Sequence, residues 1–132
     1  VINGNFSKLN FEKELNIILE KKRINLICLA GFMQILSKNF VKKLKNKIIN
    51  IHPSLLPAFK GINAVEKALS YGVKITGCTI HYVDEGIDTG KIIDQEIVKI
   101  TKEDTVKTLT KKILKEEHFL YIKVLKNLER RK

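Results

Sequence analysis

The chain has 132 residues, 44% of them hydrophobic, with 25 Lys+Arg against 14 Asp+Glu and a formal charge of +11. This is the size of one folded domain, too short for two, and too apolar for general disorder. Its apolar residues come in short bursts, well below the run of about 20 that a membrane span needs, and the amino end shows no secretory signal, so no membrane partner is expected.

Cys28 and Cys78 each sit in an apolar stretch outside any CxxC spacing, which disfavours a metal site and a disulfide framework and fits a reducing cytoplasm. The positive charge would suit a polyanion. Arginine, however, occurs only as Arg23, Arg130 and Arg131, and nucleic-acid recognition favours the bidentate arginine fork, so no nucleic-acid partner is expected.

In chain order, Phe11, Leu15, Ile18 and Leu19 recur at helical spacing, with Ser7 or Asn10 as N-cap, and predict a helix to about Lys22. Residues 26–30 form a continuous apolar run ended by Gly31, as in a strand buried on both faces. Ser37 then caps a short helix carrying Phe40, Val41 and Leu44, and residues 47–51 read as a second buried strand. Strand, helix, strand implies a right-handed crossover. The expected class is therefore α/β, a mostly parallel sheet with flanking helices, whose ligands gather at the carboxyl ends of the strands.

Beyond Pro57, the residues Ala64, Val65, Ala68 and Leu69 predict a helix ended by Gly72. Segments 76–83 and 92–100 read as a β pair joined by a loop longer than a tight hairpin requires. Thr101 with Asp104 resembles a capping box for a last helix, whose inward stripe is Val106, Leu109, Ile113, Leu120, Val124 and Leu128. Glu117 interrupts that stripe, and a carboxylate there needs a polar partner or a helix edge. No repeat or linker divides the chain, so residues 1–132 are read as one domain.

Chemistry concentrates where the second strand ends. Asn50 and His52 are two apart, so on a strand they leave by the same face, and Pro53 stops the ladder directly after them. An amide and an imidazole beside an acidic loop carrying Asp88 suit acyl transfer to an amine. Asn50 would donate to the carbonyl oxygen as it becomes an oxyanion, His52 would share that load or move a proton, and Asp88 would orient His52 and take the amine's proton. Plainer readings stand beside this one. Asn-x-His also serves as a strand-end cap, the residues Asp84, Glu85, Gly86, Ile87 and Asp88 also make a solvated turn, and His81 also fits a hydrogen-bonded structural role.

The stretches Ala30-Gly31-Phe32-Met33-Gln34-Ile35-Leu36-Ser37, Asn50-Ile51-His52-Pro53-Ser54-Leu55-Leu56-Pro57, Gly77-Cys78-Thr79-Ile80-His81-Tyr82-Val83 and Asp88-Thr89-Gly90 together resemble the phosphoribosylglycinamide formyltransferases. The resemblance implies formyl transfer from 10-formyltetrahydrofolate to the amine of glycinamide ribonucleotide in purine synthesis, in the cytoplasm and without a metal. A formyl-folate hydrolase, or an inactive fragment with a basic binding surface, is the alternative, and a homodimer is compatible with the family. By the same resemblance Asn50, His52 and Asp88 are catalytic. Met33, Gln34, Ile35, Leu36, Asp84, Glu85, Gly86 and Ile87 border the folate, and Gly31, Asn50, Thr79 and Glu117 meet the ribonucleotide. Gln34 stands where the family commonly has arginine. The family's opening strand and glycine-rich phosphate loop have no counterpart ahead of Val1, so the resemblance covers the C-terminal two-thirds of a Rossmann-like formyltransferase domain, read as truncated.

Overall fold

The computed structural model describes residues 8–31 and 36–130. Four helices and four strands follow in the order α1 (Lys8–Lys21), β1 (Ile27–Leu29), α2 (Lys38–Lys43), β2 (Ile48–His52), α3 (Ala64–Tyr71), β3 (Ile75–Tyr82), β4 (Ile92–Lys99) and α4 (Val106–Arg130). The strands form one sheet in the order β1-β2-β3-β4. None of these helices is long and apolar enough to cross a membrane.

The sheet is mixed. β1 and β2 run parallel, as the crossover through α2 requires, whereas β2/β3 and β3/β4 are antiparallel. The α/β expectation holds with flanking helices, but within the described residues the parallel part is the β1/β2 pair alone. The reason is the path through α3, which returns the chain to the carboxyl end of β2, so that β3 sets off in the opposite sense.

One face of the sheet carries Ile49, Ile51, Cys78, Ile80 and Val98, and α4 packs on it with Leu109, Ile113, Leu120 and Val124. Each of these α4 side chains is almost wholly buried; burying one such side chain contributes roughly 1.5–3 kcal/mol. Tyr121 ties the helix down by donating its hydroxyl to the Leu29 carbonyl at 2.7 Å. A smaller cluster gathers Leu19 of α1, Phe40 of α2 and Ile48 of β2. Between those two helices lies Glu12, 5% exposed, whose carboxylate accepts from the Ser37 backbone N–H at 2.7 Å and from the Ser37 hydroxyl. Ser37 is the N-cap of α2, as its sequence position suggests, and accepts from the Phe40 N–H.

The cap of α4 differs from expectation. Asp104 does accept from the Thr101 N–H at 2.9 Å, but the helix begins only at Val106. Its box is made one turn later, where the Thr105 N–H donates to the Thr108 hydroxyl at 2.9 Å and the Thr108 N–H to the Thr105 hydroxyl at 3.2 Å. Asp104 instead holds Lys112 at 2.6 Å, and this ammonium, with the Thr101 N–H and the Thr108 hydroxyl, keeps its carboxyl well below the usual range.

Candidate active site

The strand register decides which side chains meet. Asn50 lies directly opposite His81, and His52 directly opposite Thr79. Residues opposed in this way share a face, so four polar side chains stand together at the carboxyl end of β2. The loop after β3 then folds over them. Asp84 closes it by accepting from the Gly86 N–H at 2.9 Å and from the Thr89 hydroxyl. Gly90 runs so close to the Tyr82 carbonyl that a Cβ there would collide with it. Held at both ends, the loop puts Asp88 in the left-handed region at φ 53°, a conformation that aspartate tolerates better than most residues.

Asp88 faces two imidazoles. One of its carboxylate oxygens lies 3.5 Å from His52 Nδ1 and accepts from the Gly61 N–H at 2.7 Å; the other lies 3.7 Å from His81 Nε2. The far nitrogens of both rings are already spoken for. His52 Nε2 donates to the Phe59 carbonyl at 2.8 Å, and His81 Nδ1 donates to the Tyr82 carbonyl at 2.9 Å. A carbonyl can only accept, so these bonds place the ring proton away from Asp88 in each neutral histidine. In that form the ring nitrogen of each histidine that faces the carboxylate is the one able to take a proton. The three groups are shielded, with His52 at 5%, His81 at 2% and the Asp88 side chain at 12% exposure.

Beside them Asn50 is half-buried, and its Oδ1 is buried without a partner among the described residues, as is His81 Nε2. Leaving such a group unsatisfied costs about 1–3 kcal/mol. Asn50 and the histidine–aspartate cluster border a cavity of about 610 Å³. Gly31, Leu36, Asp84, Glu85, Gly86, Ile87 and Glu117 line the same cavity, so the structure brings together most of the residues singled out from sequence. Met33, Gln34 and Ile35 lie outside the described residues.

Glu117, half-buried at the cavity wall, has its carboxyl pushed up by burial, as a glutamate set in an apolar stripe should. Burial, followed by the charges of Glu117, Glu116 and Glu96, pushes the Cys78 thiol to about 12, consistent with a small core residue.

Thr79 requires a correction. It is fully buried and does not border the cavity. Its hydroxyl donates to the Ser54 carbonyl at 2.7 Å and accepts from the Leu56 N–H at 3.0 Å and from Gln95 Nε2 at 3.0 Å. One donor and two acceptor sites are all a hydroxyl has, so none remains for a substrate. The structure gives Thr79 a supporting role in place of ribonucleotide contact.

His81 is the converse case. It makes the structural hydrogen bond that its strand position suggests, and it also lines the cavity and faces Asp88. The sequence signal was its place two residues after Thr79 on a strand, but only the register with Asn50 makes that signal decisive. Lys67 of α3 also lines the cavity and was not anticipated.

Residues 4–125, which carry this mixed sheet with Asn50, His52 and Asp88 gathered at one strand end, match the formyl transferase family. The chain belongs to that family. It is similar to phosphoribosylglycinamide formyltransferase of Bacillus subtilis, 47% identical over 122 residues, which cover 92% of this chain and 63% of that protein. It is also similar to the human trifunctional purine biosynthetic protein adenosine-3, at 49% identity over 115 residues, covering 87% of this chain and 11% of that protein. The crystal structure of phosphoribosylglycinamide formyltransferase from Anaplasma phagocytophilum superposes with a TM-score of 0.89 at 48% identity, covering 91% of this chain and 59% of that one. The chain thus spans less than two-thirds of each of these proteins.

Proposed function

We propose that this chain transfers a formyl group from 10-formyltetrahydrofolate to the amine of glycinamide ribonucleotide, a cytoplasmic step of purine synthesis. The observation that carries the reading is the Asn50 side chain, whose buried Oδ1 has no partner among the described residues, beside the His52–Asp88–His81 cluster on one cavity. A buried acceptor left unpaired costs free energy, and the N–H of an amine substrate would satisfy it.

In the proposed reaction the amine attacks the formyl carbon, a C–N bond forms, and the carbonyl oxygen becomes an oxyanion. The Asn50 amide donates to that oxygen, a contribution worth about 3 kcal/mol when a donor is preorganised. The amine's proton passes to Asp88, directly or through water, and is shared with the ring nitrogens of His52 and His81 that point at it. Collapse of the intermediate breaks the bond between the formyl carbon and the folate nitrogen, and the proton is delivered to that leaving nitrogen. Because His52 Nε2 is engaged by the Phe59 carbonyl, His52 acts by holding and moving this proton together with Asp88. Leu36, Asp84, Glu85, Gly86 and Ile87 are the candidate wall for the folate. Gly31 and Glu117 are the candidate contacts for the ribonucleotide, Glu117 receiving its glycinamide end.

The test follows the absorbance of the folate as the whole chain meets 10-formyltetrahydrofolate with and without glycinamide ribonucleotide. Tetrahydrofolate formation that requires the ribonucleotide is the expected result. Turnover with water alone would make the chain a hydrolase, and no turnover in either arm would overturn the activity of this chain while leaving its family intact.

A further inference from the structure

The chain from Pro53 to Gly61 touches the catalytic groups twice. The Phe59 carbonyl receives His52 Nε2–H, and the Gly61 N–H binds Asp88. Whatever fixes this loop therefore fixes the orientation of both. Its near end is anchored by buried polar bonds. The Ser54 carbonyl accepts from Thr79, the Leu56 N–H donates to Thr79, and the Leu56 carbonyl accepts from Gln95 Nε2 at 2.9 Å. The same Gln95 nitrogen donates to the Thr79 hydroxyl. Further along, the Ser54 hydroxyl donates to the Ala58 carbonyl, and the Ala58 N–H donates to the Leu55 carbonyl at 3.0 Å.

His52, Thr79 and Gln95 form one cross-strand row, since His52 opposes Thr79 and Thr79 opposes Gln95. The network also fixes which way the Gln95 amide points. Turned over, its oxygen would face the Leu56 carbonyl, acceptor against acceptor, and Thr79 would lose a donor. Gln95 is only half-buried and does not border the cavity, yet its amide nitrogen gives one proton to the loop at the Leu56 carbonyl and the other to Thr79, which holds the loop.

We propose that Gln95 of β4 is a positioning residue for formyl transfer: through Thr79 and the Leu56 carbonyl it holds loop 53–61 so that Phe59 and Gly61 orient His52 and Asp88. The inference rests on the reading of the site given above. It concerns a residue two strands away from His52 that touches neither substrate nor the reacting atoms. Reacting groups need to be held to within about 0.5 Å of their working geometry, and supporting residues of this kind supply that hold.

The test compares the whole chain with Gln95→Met, which keeps length and bulk but removes both donors, and with Gln95→Asn, whose amide is one methylene short of its partners. Thr79→Ser is the conservative control, because it retains the hydroxyl. Imidazole nitrogen–proton correlation spectra report the His52 Nε2–H bond to Phe59, and steady-state kinetics report transfer. Both Gln95 variants are expected to move the His52 ring resonances and to lower kcat about ten-fold, with KM within about two-fold, as a small misplacement of catalytic groups does. Thr79→Ser is expected to keep both. His52 resonances unmoved in Gln95→Met and Gln95→Asn would overturn the proposal. If the unsubstituted chain shows no turnover, the transfer reading fails separately, and the His52 spectra alone decide the role of Gln95.

Discussion

Two polar clusters share one face of the sheet, side by side. Around Thr79 the bonds are made: its hydroxyl pairs with the Ser54 carbonyl, the Leu56 N–H and the Gln95 amide, which also reaches the Leu56 carbonyl. Around Asp88 the bonds stay incomplete, with Asn50 Oδ1 and His81 Nε2 buried and partnerless among the described residues and His52 Nδ1 still 3.5 Å from the carboxylate. Satisfied polar groups in a core add specificity and cost little, whereas unsatisfied ones cost free energy and persist where a ligand completes them. The first cluster is scaffold and the second is machinery. Substitutions in the second should cost activity with little stability, and substitutions in the first should cost stability together with a smaller share of activity through loop 53–61.

The largest effect is expected from Asp88→Asn. Asparagine tolerates the left-handed backbone of this position, so the loop keeps its course while the proton acceptor is lost. Formyl transfer should fall by about 10²–10⁴-fold, the range for losing a general base, with the melting temperature nearly unchanged. Transfer within a few-fold of the parent would place the proton acceptor elsewhere.

Thr79→Val should act chiefly on stability. It strands the Ser54 carbonyl, the Leu56 N–H and one proton of Gln95, which predicts a loss of about 1–3 kcal/mol in denaturant unfolding. An unfolding curve that superimposes on the parent would contradict the account of Thr79 as scaffold.

The smallest effect concerns Asp104, another fully partnered group. Its carboxyl is depressed in the folded chain, first by Lys112 and then by the Thr101 N–H and the Thr108 hydroxyl. A depressed acid stabilises the fold above its ordinary value of about 4 and loses that contribution as pH falls through its folded value. The melting temperature should therefore drop below about pH 4, and more steeply in the parent than in Lys112→Met. Parallel acid limbs would show that the pair carries no linkage.

Much of this contrast was legible in the sequence, for local reasons. Asn50 and His52 stand out because two polar side chains leave a buried strand together just before a proline. Asp88 stands out because its acidic, glycine-flanked loop is longer than a hairpin needs. Glu117 breaks an otherwise apolar stripe, and it does line the cavity. The remainder depended on long-range register. That His81 faces Asp88, that Thr79 spends its hydroxyl on loop 53–61, and that Gln95 reaches the same loop all follow from which residues oppose one another across β2, β3 and β4. Hydrophobic pattern does not set that pairing. The antiparallel direction of β3 was hidden for the same reason, since buried strands of either sense read alike as apolar runs. The late start of α4 reflects two overlapping Thr-based caps, of which the one at Thr105 and Thr108 wins.

The most direct test of the central claim is thermal unfolding of Asn50→Leu, measured beside its formyl transfer. Leucine is close to asparagine in shape and removes a buried oxygen that the fold leaves unsatisfied. The account predicts a melting temperature equal to or above the parent's, together with a loss of transfer of about 10²–10³-fold, the cost of one oxyanion donor. A destabilised variant that still transfers formyl at the parent's rate would contradict it, making Asn50 a structural cap.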